Sequence, residues 1–229
     1  MAEQLSFDLP AIPALGREDF FVSPANQIAV ATLSARPWAG HKLVLTGPQG
    51  SGKTHLTHVW TAECGARIVQ ASHLNEGDVL ALASGPVAVE DVPRIADDSE
   101  CQRALFHLHN LMMSQGQSLL MTGRAAPHLW GLSLPDLQSR VQGSLHTALL
   151  PPDDALLSAV LAKLFLDRQL SPGPDVISYL VRHLDRSFDA AAEVVDEIDR
   201  ICLSEHRRIT RALAVRVLND LWESPDSSD

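Results

Sequence analysis

Up to about residue 150, short continuous apolar runs alternate with stretches whose apolar positions recur every three or four residues; beyond it only the second pattern persists. Lys42-Leu43-Val44-Leu45-Thr46, Ala66-Arg67-Ile68-Val69-Gln70, Pro86-Val87-Ala88-Val89-Glu90 and Ser118-Leu119-Leu120-Met121-Thr122 read as strands, and Thr147-Ala148-Leu149-Leu150 as a fifth. Near-continuous apolar runs suit strands covered on both faces of a parallel sheet. Between them Gln27 to Leu33, Lys53 to Glu63, Asn75 to Ala83 and Gln102 to Ser114 read as helices, the last with Leu105, Leu108, Leu111 and Met112 on one face. Strands separated by helices imply βαβ units, hence an α/β fold with a mostly parallel sheet flanked by helices.

Pro151-Pro152-Asp153 breaks the pattern and supplies a cap for a helix lined by Leu157, Val160, Leu161, Leu164 and Phe165. A second helix spans Asp175 to Leu184. Ser187 caps a third, with Phe188, Ala191, Val195, Ile198 and Cys202 in its stripe, and Thr210 a fourth, with Leu213, Val217, Leu218 and Leu221. The organisation expected is an extended arm over residues 1–18, an α/β nucleotide-binding domain over 19–150, a small all-α C-terminal lid over 151–222 and a disordered polar tail over 223–229.

Composition narrows the function. With 28 acidic against 18 basic residues and a formal charge of −10, the chain is a poor match for a phosphate backbone, so no strong direct DNA binding is expected. The three cysteines, Cys64, Cys101 and Cys202, are far apart and lack C-x-x-C spacing, which fits thiols in a reducing cytosol. No apolar stretch approaches the roughly 20 residues of a membrane span, and the N-terminus has no signal-peptide pattern. A cytoplasmic protein with no membrane partner is expected.

The chemistry concentrates in Gly47-Pro48-Gln49-Gly50-Ser51-Gly52-Lys53-Thr54, which fits G-x-x-x-x-G-K-[ST] and follows the first strand. In that context the glycines let backbone N–H groups turn inward on phosphate oxygens, and the helix opening at Gly52 adds the positive end of its dipole. Lys53 is assigned to the β- and γ-phosphates and the Thr54 hydroxyl to Mg²⁺, with His55 next in the helix.

With the loop, the acidic strand end and the helical appendage placed, the chain resembles the AAA+ ATPases of the bacterial initiator DnaA group and, more narrowly, the Hda family of DnaA-related regulators of replication initiation. The likeness runs from Gln4 to Leu221. Gln4-Leu5-Ser6-Phe7-Asp8-Leu9 is similar to the peptide by which replication proteins dock into the β sliding clamp of DNA polymerase III, with Gln4, Leu5, Phe7 and Leu9 as anchors. The resemblance implies a P-loop AAA+ base with a helical lid, ADP or ATP and Mg²⁺ as cofactors, and Phe21, Val22 and Asn26 as contacts to the adenine base. Glu90 and Asp91 resemble the Walker B pair, Glu90 on the metal and Asp91 orienting water, although the family usually has Asp where Glu90 stands. Thr122 matches the sensor 1 position, while Gly123-Arg124 follow where relatives carry an acidic residue before the arginine. Arg140, ending Leu134-Pro135-Asp136-Leu137-Gln138-Ser139-Arg140, matches the arginine finger. At the sensor 2 position Asp189 replaces the usual arginine, with Arg186 nearby, which points to bound nucleotide that turns over slowly.

The function implied is that of a regulator that binds the clamp and promotes hydrolysis of DnaA-bound ATP through Arg140 in trans, preventing re-initiation. Its own ATPase would be weak, and a homo-oligomeric state stays open. The alternative is an autonomous AAA+ ATPase acting as a loader or remodelling factor.

Overall fold

The computed structural model describes residues 21–205 and 207–223. The expected arm, with its clamp peptide, lies outside the described residues. The described chain divides into two compact units: Asn26–Leu150, and Phe21–Ala25 together with the residues from Pro151 onward.

The first unit holds a five-stranded sheet of β1 (Lys42–Thr46), β2 (Arg67–Gln70), β3 (Val87–Glu90), β4 (Leu119–Gly123) and β5 (Leu145–Ala148). The order is β2-β3-β4-β1-β5 and every pairing is parallel. Because all strands run one way, their C-terminal ends share one edge of the sheet and their starts share the other. The helices of this unit are α1 (Gln27–Ser34), α2 (Lys53–Cys64), α3 (Val79–Leu82), α4 (Ser99–Ser114) and α5 (Pro135–Gln142).

Side chains alternate across the sheet. Val44, Val87, Val89, Leu119 and Met121 join Ala104, Leu105, Leu108 and Met112 of α4 and Leu137 and Val141 of α5 in one core. Leu43 and Leu45 point the other way and are equally buried, as are Leu56, Val59 and Trp60 of α2. Trp60 stacks on Trp38 at 5.3 Å between ring centroids. Burial on both faces is why the strands read as unbroken apolar runs rather than as alternating ones.

The second unit is helical: α6 (Asp154–Asp167), α7 (Pro174–His183), α8 (Phe188–Glu205) and α9 (Arg211–Glu223). Leu157, Leu161, Phe165, Val181, Leu184, Val195, Ile198, Leu213 and Val217 belong to its core, as expected from their spacing, and Leu180 joins them. Asp153 caps α6, its carboxylate accepting from the Leu156 N–H at 2.8 Å, and Thr210 caps α9 through the Leu213 N–H at 3.3 Å.

Two local expectations change. The segment 75–83 is a 3₁₀ turn, Glu76–Asp78, followed by the single turn of α3. Asn75 caps that turn through the Asp78 N–H, and Gly85-Pro86 stop the chain before a longer helix can nucleate. The fifth strand begins at Leu145 instead of Thr147, because pairing with β1 sets its register; Leu149 still donates to the Thr46 carbonyl at 2.7 Å. The helix after the glycine loop begins where expected, at Lys53, with Gly52 as a left-handed cap at φ 91°.

Candidate functional site

The loop after β1 has a shape only glycine permits at its first position. A Cβ on Gly47 would lie 2.7 Å from the Ser51 Oγ and 2.9 Å from the Leu149 carbonyl oxygen. Gly50 and Gly52 both sit in the left-handed region, at φ 65° and 91°, so the chain reverses tightly into α2. Gly47 and Ser51 are buried, Pro48 and Gln49 exposed, and Thr54 and His55 stand exposed on the first turn of α2. The Lys53 ammonium donates to the carbonyls of Gly47 at 2.8 Å and Pro48 at 2.7 Å, folding over the loop at the end of β1. The Ser51 hydroxyl is buried without a hydrogen-bond partner. A cradle closed to a Cβ at Gly47, a lysine arched over it and an unsatisfied buried hydroxyl together fit a phosphate chain.

The other predicted groups on this edge come from the ends of β3 and β4. Glu90 is buried, and its carboxylate accepts from the Gln70 side-chain amide at 2.9 Å. Asp91 follows in a left-handed conformation, φ 54° and ψ 45°, which a non-glycine residue seldom adopts. The strain is held by Thr122: its buried hydroxyl accepts the Asp91 N–H at 3.1 Å. Thr122 thus links the end of β3, with Glu90 and Asp91, to the end of β4. The Asp91 carboxylate meets Arg94 at 3.5 Å, an exposed pair of little energetic weight, and lines a cleft of about 360 Å³ with Arg124 and Trp130.

Gly123 explains the departure after Thr122. A Cβ there would fall 2.6 Å from the Trp130 ring, whose Nε1 donates to the Ala125 carbonyl. Sequence reading noted Gly123 only as a departure and gave no role to Trp130 or Gln70.

Arg140 is elsewhere. It sits in the last turn of α5, just before β5 begins, and its carbonyl accepts from Lys42 Nζ at 3.2 Å. Lys42 is the first residue of β1, and its side chain leans back on Gly40, away from the loop. Arg140 therefore lies at the edge where strands start, separated from the phosphate loop by the length of β1, about 13 Å at ~3.3 Å per residue. Its guanidinium is exposed and lies 5.4 Å from the centre of the Phe106 ring. The buried Gln102 amide fixes the entry to α5, accepting from the Leu134 N–H at 2.8 Å and donating to the carbonyls of Ile95 and Ala96. Burial, then the neighbouring Arg140 charge, lowers the Lys42 pKa. His109 of α4, buried beside this pair, is pushed down to about 4, mainly by burial and then by Lys42.

The remaining predicted residues fall in other places. Asn26 precedes α1 in the sheet unit, whereas Phe21 and Val22 belong to the helical unit. Asp189 is exposed at the start of α8, and Arg186 is engaged inside the helical unit, 2.6 Å from the Asp154 carboxylate and 3.2 Å from the Pro152 carbonyl. Among the described residues no cluster of three or more His, Cys, Asp or Glu side chains forms a metal site, and no helix is long and apolar enough to cross a membrane.

This arrangement of strands and loop recurs in solved structures of other proteins. The structure is similar to domain III of the replication initiation protein DnaA from Thermotoga maritima, with a TM-score of 0.75 and 18% identity over 92% of this chain and 98% of that one. It is also similar to AMPPCP-bound DnaA from Aquifex aeolicus (TM-score 0.68, 16% identity, 89% of this chain and 68% of that). The Thermotoga maritima RuvB Holliday junction branch migration motor follows, with a TM-score of 0.62 and 16% identity over 79% of this chain and 61% of that one. No family model matches the chain.

Proposed function

We propose that this chain is an adenine-nucleotide-binding regulator of replication initiation of the Hda type, which supplies Arg140 to ATP bound by DnaA. The observation that carries the reading is the separation of the two edges: the phosphate loop and the Walker B-like carboxylates occupy one, and an exposed arginine stands at the other, out of reach of its own loop. An arginine so placed is of use to a nucleotide held by a neighbouring molecule. The fold shared with AMPPCP-bound DnaA supports an adenine nucleotide in the Gly47–Thr54 loop.

ADP or ATP is held by the loop N–H groups and Lys53, with Phe21, Val22 and Asn26 contacting the base. Thr54 and Glu90 are the residues to hold Mg²⁺, which when bound offsets phosphate charge. The resident nucleotide serves to order the protein for its partner. The functional division follows the 19–150 base and 151–222 lid, and Gln4, Leu5, Phe7 and Leu9 attach the chain to the sliding clamp. At the partner's site the permanently charged, planar Arg140 guanidinium stabilises the charge that develops as the γ-phosphoryl group leaves.

The test is single-turnover hydrolysis of DnaA-bound ATP in the presence of clamp-loaded DNA and this protein. Arg140→Ala, still bound to the clamp, should fail to stimulate hydrolysis; stimulation at the wild-type level would refute the assignment.

A second reading, an autonomous AAA+ ATPase, draws on one observation: Asp91 is held in a strained conformation by Thr122, as expected of a group poised for chemistry. Steady ATP turnover by the purified chain without DnaA or clamp, lost in Asp91→Asn, would favour it.

A further inference from the structure

We infer that the helical unit carries a stacking site for unpaired nucleotides, built from His183, Tyr179 and Arg211. Tyr179, the sole tyrosine of the chain, is half-buried on α7. The His183 ring, one turn on, stacks on it at 4.2 Å between centroids with an interplanar angle of 24°, and His183 Nδ1 lies 2.8 Å from the Tyr179 carbonyl oxygen. From α9 the Arg211 guanidinium lies 5.2 Å from the centre of the same ring. Three flat groups from two helices thus meet at one ring, and two of them, His183 and Arg211, are exposed. Faces of this kind accept a nucleobase of any sequence, because every base presents a π-surface.

The surrounding charge selects an anion. Residues 179–185 and 205–211 contain four arginines against two carboxylates, in a chain whose net charge is −10. Of these four, Arg207 is paired with Glu205, and elsewhere in this unit Arg168 pairs with Asp196, Arg186 with Asp154, Arg200 with Glu197 and Arg216 with Glu205. Arg182, Arg208 and Arg211 make no ion pair with a described residue. Moreover, α9 opens on Arg211 with no acidic residue in its first turn, so a cation stands at the positive end of the helix. That placement works against the helix dipole and becomes favourable once a phosphate sits beside it. A base-stacking surface bordered by unpaired cations and a helix N-terminus matches a single-stranded nucleic acid. Aliphatic side chains would hold α7 against α9 equally well, and without exposing planar cations.

The inference is independent of the role given to Arg140. It is tested by fluorescence anisotropy of labelled oligothymidylate, oligouridylate and a mixed duplex, each of about twelve units, with the full chain between about 50 and 200 mM salt. The single strands should bind more tightly than the duplex, with affinity falling as salt rises, and the tighter of the two identifies DNA or RNA as the natural strand. The double variant His183→Ala/Arg211→Gln, at exposed positions and checked for folding by circular dichroism, should lose about tenfold or more in affinity. Tyr179→Leu should lose as much, and Arg216→Gln should bind as wild type does. The inference is overturned if neither single strand binds at low salt, if the duplex binds as tightly, or if the folded double variant retains wild-type affinity.

Discussion

The two edges of the sheet are built from the same strands and differ in what shapes them. At the edge where strands end, backbone dominates: a glycine loop, a strained aspartate and a threonine hydroxyl that holds it, all set by main-chain geometry. At the edge where strands start, the feature is one long side chain laid against an aromatic ring, beside a half-buried lysine and a buried histidine kept neutral. In the proposed function the first edge encloses a nucleotide and the second presents an exposed arginine outward. A protein that used Arg140 on its own nucleotide would need both at the same edge.

The sharpest way to break the comparison is at Arg140. Arg140→Ala should lower stimulated hydrolysis of DnaA-bound ATP by about 10³-fold or more, and Arg140→Lys should recover little of it, since a point charge cannot replace the planar fork. Quench-flow measurement of the product reads both.

A smaller effect comes from pH. His109 has a folded pKa of about 4, below the usual 6.5. Between those values the unfolded chain takes up a proton that the folded chain refuses, so stability is intact above pH 6.5 and is lost as pH falls towards 4. The full loss is roughly 3 kcal/mol at ~1.4 kcal/mol per unit. Urea denaturation of wild type and His109→Gln at pH 7 and pH 5 should show the acid-side loss shrink in the variant.

Gly123→Ala perturbs the other edge. Its methyl group would press on Trp130, and a forced repacking of this kind costs about 1–3 kcal/mol, read as a lower melting temperature. Clamp binding should survive. The mildest change is Phe106→Leu, which removes the ring under Arg140 and should reduce stimulation only a few-fold, since an exposed cation–π contact contributes about 0.5–1 kcal/mol.

The first edge was largely legible in the sequence because its chemistry is local. Gly47 to Thr54 is contiguous, Glu90 and Asp91 are adjacent, and Thr122 ends an apolar run; each motif carries its own geometry. What joins them was not legible. Nothing in the order of residues says that the Thr122 hydroxyl holds the Asp91 backbone or that Gly123 makes room for Trp130, since both are contacts between distant segments. The second edge was legible only as a residue type. The spacing around Arg140 did not reveal its position beside Lys42, which follows from the parallel pairing of β5 with β1. Fifth-strand register went astray for a related reason: Ala148-Leu149-Leu150 is the more apolar run, but hydrogen bonding to β1 starts at Leu145, whose side chain is partly exposed on an edge strand. In the helical unit, periodicity gave the four helices but not the meeting of Tyr179 with Arg211, which needs α7 to pack on α9.

The separation of the edges is tested most directly by the affinity for ADP of three proteins measured side by side: wild type, Lys53→Ala and Arg140→Ala. The account predicts a loss of about a hundredfold in Lys53→Ala, where a charge-assisted contact is removed, and wild-type affinity in Arg140→Ala. Equal losses in the two variants would place Arg140 in its own molecule's nucleotide site and contradict the account.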